Sequence, residues 1–213
     1  MHQAFHIFAY LKNHSRSRII FDDDEPDLAN EFVKADWQGY YPGAAEVVPP
    51  DAPEPRGKPM TMTCFVDADH AGCRDTRRSH TGIIIMLNRA PVMWFSKRQN
   101  TVETSTFGSE FLAMRQAVEM VEGLRYKLRM MGIEVVGATS VLCDNKSVVK
   151  NATRPESTLQ KKHVAVAYHR VREAQAAGIV RIAHESGKDN LADILTKLLD
   201  GSRLNKLARR ILY

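Results

Sequence analysis

The chain has 213 residues, enough for one well-formed core and an additional segment. With 44% hydrophobic and 26% charged residues it has the composition of a globular protein, and its longest apolar run, Gly82 to Leu87, is far too short to cross a bilayer. A net charge of +5 is modestly basic, and three cysteines (Cys64, Cys73, Cys143) without C-x-x-C spacing argue against a zinc site or a disulfide framework.

The N-terminal "MHQAFHIFAYLKNH" lacks the features of a secretory signal, so the expectation is a protein that is not secreted. Gln3 to Asn13 carries Phe5, Phe8, Ala9 and Leu11 near helical spacing, and "SRIIFD" has the composition of a short strand. Acids and prolines then concentrate in "FDDDEPD" and "VVPPDAPEPRGKP", the signature of an extended linker. The expected division is residues 1–22, an acidic Pro-rich linker over 23–60, and a main domain over 61–213.

The main domain opens with a strand, Met62 to Ala68. A second follows, Thr81 to Leu87, rich in β-branched residues, and "NRA" provides a hairpin-length turn into a third, "APVMWFSKR". A long helix is predicted over Thr106 to Met131, because Phe111, Met114, Val118, Val121, Leu124 and Leu128 recur at threes and fours. Ser105 or Thr106 is its N-cap and Gly132 its end. "ATSVLCDN" is a fourth strand leading into a short helix from Lys146 to Asn151. A second long helix is predicted over Leu159 to Ala177, stopped by Gly178, then a fifth strand, "IVRIAHES", and a final helix or helix pair beginning at "NLADILTKLL". Three adjacent strands followed by alternating helices and strands predict an α/β fold: a mixed five-stranded sheet, three antiparallel strands then parallel ones, with helices on both faces.

Four acids sit at element ends among apolar neighbours: Asp67 after "CFV", Glu110 before "FLAM", Asp144 after "SVLC", and Asp193 within "NLADIL". Each alone also fits a helix-dipole or turn-starting role. Jointly they mean more, since parallel neighbours present the same strand ends and two helix starts can reach that place. Four converging carboxylates raise one another's pKa unless cations neutralise them. Oxygen-only ligands suit Mg²⁺ or Mn²⁺, and two such ions about 3.5–4 Å apart serve phosphodiester cleavage.

From Thr61 onward the chain resembles the ribonuclease H domain of Copia-type (LTR) retrotransposon polyproteins. "FVDADHAG", "TRRSHTGIIIMLNRAPVMWFSKRQ", "SEFLAMRQAVE", "CDNKSVV", "KKHVAVAYHRVRE" and "NLADILTKLL" carry the likeness, and "FHIFAYLKNHSRSRIIFD" resembles the end of the preceding reverse transcriptase region. The resemblance implies a ribonuclease H-like fold and endonucleolytic hydrolysis of the RNA strand of RNA–DNA hybrids with two Mg²⁺ ions. It implies catalytic and metal-binding roles for Asp67, Glu110, Asp144 and Asp193. It also implies the reverse transcriptase region as partner, and a location in the cytoplasm, within the element's virus-like particle, or in the nucleus. The alternatives are an inactive nucleic-acid-binding remnant, or an exonuclease or integrase core of the same superfold. Where relatives read like "SSTEAEY", this chain reads "TSTFGSEF", with Gly108 in place of a better helix former.

A hybrid is gripped mainly through its phosphates. Arg74, Arg77, Arg78 and Ser79 follow the first strand, Lys97 leaves the third within "SKRQN", and Asn145 adjoins Asp144, where a 2′-OH contact and a helix N-cap are both open. In "LQKKHVAVAYHRVRE", Lys161, Lys162, Arg170 and Arg172 make the helix basic, whereas His163 and His169, six apart, do not share a helical face and make no metal pair. By resemblance to cellular relatives, which carry a histidine in the loop before the last helix, His184 is a candidate for assisting product release, with a solvated strand-end histidine as the alternative. Asp69 is expected to form the turn, pairing with an arginine of "CRDTRR".

Overall fold

The computed structural model describes residues 2–159 and 162–212. Five strands form one sheet in the order β3-β2-β1-β4-β5: β1 Met62–Asp69, β2 His80–Leu87, β3 Ala90–Arg98, β4 Thr139–Cys143 and β5 Val180–His184. β1 pairs antiparallel with β2 and parallel with β4, and β4 pairs parallel with β5. The expected mixed sheet is therefore the observed one, with β1 at its centre.

Alternation along β1 divides the core. Cys64, Val66 and Ala68 face α2 (Thr106–Met130), where they meet Phe111, Met114, Val118 and Val121. Phe65 faces the other way, among Ile84, Met86, Leu142, Leu191 and Leu207. On the α2 face lie also α3 (Lys146–Thr153) and α4 (Ala165–Ala176); the opposite face carries a 3-10 turn, Leu191–Leu195, and α5 (Gly201–Ala208). Asn88, at φ 51°, forms the β2–β3 turn and accepts the Thr61 amide at 2.8 Å. A bulge between Ile85 and Met86 accommodates Pro91 in β3.

α2 begins where expected, because the Ser105 hydroxyl accepts the Gly108 amide. Other boundaries differ. "SRIIFD" makes a single bridge, Ile19 to Leu212, rather than a strand. The helix expected from Leu159 begins only at Ala165, after a 3-10 turn over Lys162–Val164; Gln160 and Lys161 lie outside the described residues. The final helix is broken in two. Asn190 caps the turn at Leu191, and Asp200 caps a fresh start at Gly201, so the intervening residues leave Leu198 fully exposed.

α1 spans His2–Asn13. Residues 23–60 form no helix or strand beyond a bridge at Met60, yet they lie against the body. Trp37 is buried beneath the Arg172 guanidinium (4.9 Å), Phe32 stacks under Arg181 (4.2 Å), and the Glu46 carboxylate takes Arg125 and Arg129 together. Among the described residues, no helix is long and apolar enough to cross a membrane.

Candidate active site

The parallel register sets Val66 beside Cys143, so the next residues, Asp67 and Asp144, leave adjacent strands at the same end. Asp67 shares the face of Phe65, toward the Leu191–Leu195 turn, and its side chain is fully buried. Asp193 rises from that turn, also fully buried. The turn can pack this closely because β2 has glycine at position 82. A Cβ there would stand 2.6 Å from Thr196 Cγ2 and 2.8 Å from the Ala192 carbonyl oxygen. Glu110 arrives from the other side, in the second turn of α2, and the Cys143 thiol approaches its Oε2 at 3.9 Å.

Asp67, Asp144 and Asp193 can each place an oxygen within 4.8 Å of the others, and Glu110, Cys143 and Asp144 form a second such group. Asp144 belongs to both, so the four carboxylates make one continuous cluster. Burial, with Asp67 and Asp144 close by, pushes the Glu110 carboxyl up to about 9; Lys197 and the Ala68 backbone only partly offset this. Asp193 is likewise raised, by burial first and then by Asp67, against the opposing pull of Lys197.

The positions of the acids are themselves held. Thr196 Oγ1 donates to Asp67 Oδ2, Arg203 Nη2 donates to Asp193 Oδ2 and to the Gly187 carbonyl, and Asn190 Nδ2 reaches the Val66 carbonyl at 3.0 Å. Lys197 Nζ stands among the remaining oxygens, 3.0 Å from Asp67 Oδ1, 2.6 Å from Asp193 Oδ1 and 3.6 Å from Asp144 Oδ2. An ammonium so placed is a stand-in for a metal cation: the hard, oxygen-only donor set around it fits a divalent ion of the Mg²⁺ type.

No protein-family model matches the chain. It is 30% identical over 156 residues, 73% of its length, to "Retrovirus-related Pol polyprotein from transposon RE1" of Arabidopsis thaliana. It is 30% identical over 143 residues, 67% of its length, to "Retrovirus-related Pol polyprotein from transposon TNT 1-94" of Nicotiana tabacum. The chain is a homologue of Copia-type Pol polyproteins. It spans 11% of the length of each of these relatives. Its fold is that of ribonuclease H: the crystal structure of LC11-RNase H1 in complex with RNA/DNA hybrid superposes with a TM-score of 0.50 at 16% identity, covering 63% of this chain and 93% of that one.

Around the acids of this Pol homologue, the basic candidates divide. Arg74 and Arg77 are exposed on the β1–β2 loop, with Arg77 at φ 55°, and Arg78 is half-buried. Lys97 is exposed at the end of β3, opposite Thr81 and thus two strands from Ala68. Ser79 is buried and its hydroxyl accepts the Ala71 amide at 3.0 Å, so it holds the loop instead of facing solvent. The Asn145 side-chain oxygen accepts the Ser147 and Val148 amides, the N-cap arrangement. Asp69 pairs with His80, through the amide and through Nδ1 at 3.6 Å, in place of the expected arginine.

The histidines and arginines of "KKHVAVAYHRVRE" serve the scaffold. His163 meets Glu103 at 3.2 Å, His169 Nδ1 meets the Tyr41 hydroxyl at 2.8 Å, and Arg172 donates to the carbonyls of Asn151, Arg154 and Pro155. His184 ends β5 beside Cys143, and its carbonyl accepts from Asn30 at 2.9 Å. Gly108 also has a local reason: a Cβ there would stand 2.5 Å from Glu103 Oε2. Lys197, Thr196 and Arg203 are the site residues that sequence reasoning missed. The Asp193–Lys197 spacing of four was their one available signal.

Proposed function

We propose that the chain hydrolyses the RNA strand of RNA–DNA hybrids endonucleolytically, with two divalent metal ions, Mg²⁺ in the first place and Mn²⁺ as an alternative. The observation that carries this reading is the cluster of Asp67, Glu110, Asp144 and Asp193 at the shared end of β1 and β4, centred on a cation. It lies where the sheet changes from antiparallel to parallel neighbours, the kind of opening in which α/β sheets place their ligands. The two ions, when bound, supply an activated water and charge neutralisation at the leaving oxygen.

The protein's own part is orientation. Thr196 fixes Asp67, Arg203 fixes Asp193, and Asn190 ties the Asp193 turn to the Val66 carbonyl. Preorganised groups need no reorganisation as charge develops on the phosphate. Burial first, and then Asp67 and Asp144, favour a protonated Glu110 in the metal-free site, and a divalent ion held there would favour its carboxylate. Arg74, Arg77, Arg78 and Lys97, at or beyond the same sheet end, grip phosphates of the hybrid, and the 2′-hydroxyl lies within the reach of the β4–α3 corner at Asn145. In this reading the domain acts beside the reverse transcriptase region of its element during reverse transcription.

A hybrid with labelled RNA, incubated with Mg²⁺, tests the proposal. Wild type cuts internally, also when the hybrid ends are blocked, whereas Asp67→Asn and Asp144→Asn lose cleavage by orders of magnitude while still binding. If wild type and both variants are equally inert yet bind the hybrid, the nuclease reading fails and a nucleic-acid-binding remnant takes its place. Products only from free ends indicate an exonuclease.

A further inference from the structure

Among the described residues, Lys197 is the one cation on which three of the four acids converge. Its Nζ donates to Asp67 at the end of β1 and to Asp193 on the turn, and forms an ion pair at 3.6 Å with Asp144 after β4, so oxygens from three different elements surround it. Arg203 differs, since it reaches only Asp193 within the cluster and is otherwise fixed on the Gly187 carbonyl. Arg203 is a brace, whereas Lys197 sits at the point the carboxylates share.

A divalent ion at that point needs oxygens at about 2.0–2.1 Å for Mg²⁺, so the acids close in slightly around it. The ammonium cannot remain there as well, for both are cations with the same oxygen partners, and like charges a few ångströms apart in a half-buried site repel strongly. The lysine head stands on a flexible four-carbon stem, and 35% of the side chain is exposed, which opens a way out toward water.

Resting on the nuclease reading above, we propose that Lys197 is a tethered cation: it fills one ion position of the metal-free cluster and swings outward when a divalent ion takes that position. Lys197 therefore balances the acids while the site waits, and sets the ion concentration at which the site fills. It is a positioning residue that competes with the metal, and it makes the two ion positions unequal. The first ion enters beside Glu110 and Asp144, away from the ammonium; the second has to displace it.

Ion binding to the full chain, without nucleic acid, tests this. Calorimetric titration with Mn²⁺ is expected to show two stages in wild type, and in Lys197→Gln the weaker stage tightens by about tenfold. Lys206→Gln, which removes a surface lysine paired with Asp189 at 2.6 Å, leaves both stages unchanged. Because Lys197→Gln removes the cation that balances the acids and so weakens the metal-free fold, wild type supplies a second measurement. A small acylating reagent should modify Lys197 slowly in metal-free protein and several-fold faster at saturating Mg²⁺, with Lys206 as the internal reference. Equal Mn²⁺ affinities in wild type and Lys197→Gln, or a Lys197 acylation rate that Mg²⁺ does not change, overturn the tethered cation while leaving hybrid cleavage untouched. If neither protein binds Mn²⁺ at all, the nuclease reading falls with it.

Discussion

Glu46 lies outside the segment expected to form the main domain, and its replacement should nonetheless unfold that domain more easily. Its Oε1 accepts from Arg125 Nε at 2.7 Å and Arg129 Nη1 at 2.5 Å; its Oε2 accepts from the Nη2 atoms of the same arginines at 2.8 and 2.7 Å. Burial alone would push this carboxyl up, but the two guanidiniums outweigh it and hold it down at about 2 instead of its ordinary 4.5. Holding the carboxyl at about 2 instead of 4.5 corresponds to roughly 3 kcal/mol, at ~1.36 kcal/mol for each tenfold change in proton affinity. Partial exposure brings the expected loss in Glu46→Gln to about 2–3 kcal/mol, since the side chain of Arg125 is 3% exposed and keeps only the Gly137 carbonyl and the Thr139 hydroxyl.

The sign of the pH dependence follows from the depressed value. The stabilisation is fully present above pH 4.5 and disappears as pH falls from there through about 2. Urea unfolding of wild type and Glu46→Gln at neutral pH and at about pH 3.5 reads both effects, with the gap between them narrowing by about 1 kcal/mol at the lower pH. A gap under about 0.5 kcal/mol at neutral pH, or one that acid leaves unchanged, would refute the clamp. A corollary is that a fragment starting at residue 61 exposes Arg125 and Arg129 without their carboxylate and lacks the Trp37 cover of Arg172.

Further outcomes are open to measurement. Gly82→Ala should push the Leu191–Leu195 turn off β2, costing about 1–3 kcal/mol in urea unfolding and reducing hybrid cleavage, because Asp193 and Thr196 move with the turn. Asp69→Asn should retain cleavage and lose about 1 kcal/mol, since Asp69 serves His80 and not the acid cluster; loss of cleavage as severe as in Asp67→Asn contradicts this. In metal-free protein, Glu110 keeps a proton up to about pH 9 that the unfolded chain sheds near 4.5. Its contribution is therefore greatest below 4.5 and declines as pH rises toward 9, so thermal stability of Glu110→Gln should fall less over that interval than that of wild type.

The sheet was legible because its strands are rich in apolar and β-branched residues, with acids at the ends of β1 and β4, and the long helix because Phe111 through Leu128 keep a helical period. The convergence of Asp67 with Asp144 follows from one inference, that parallel neighbours share an end. What escaped depends on partners distant in sequence. Lys197 reads as one more basic residue until β1, β4 and the last turn meet around it. Glu46 and Trp37 look like linker residues because Arg125, Arg129 and Arg172 lie far along the chain. Ser79 reads as a loop hydroxyl free for phosphate until the Ala71 amide turns it inward. The last helix broke because two caps, Asn190 and Asp200, compete within a stretch whose apolar pattern alone is continuous.

The central place of β1 also bears on when the site comes into being. Asp67 is made before its strand neighbour β4, which follows only after β2, β3 and all of α2. The turn carrying Asp193, Thr196 and Lys197 comes later still, beside a bridge from Ile19 to Leu212 that joins early and late parts of the chain. Contacts so far apart in sequence form slowly and nearly last, because loop-closure entropy opposes them until the sheet exists. During synthesis the first acids therefore emerge without the residues that orient and neutralise them. The complete cluster would therefore arrive in a single step near the end of folding, and a half-made chain carries unpaired acids in place of an ion site.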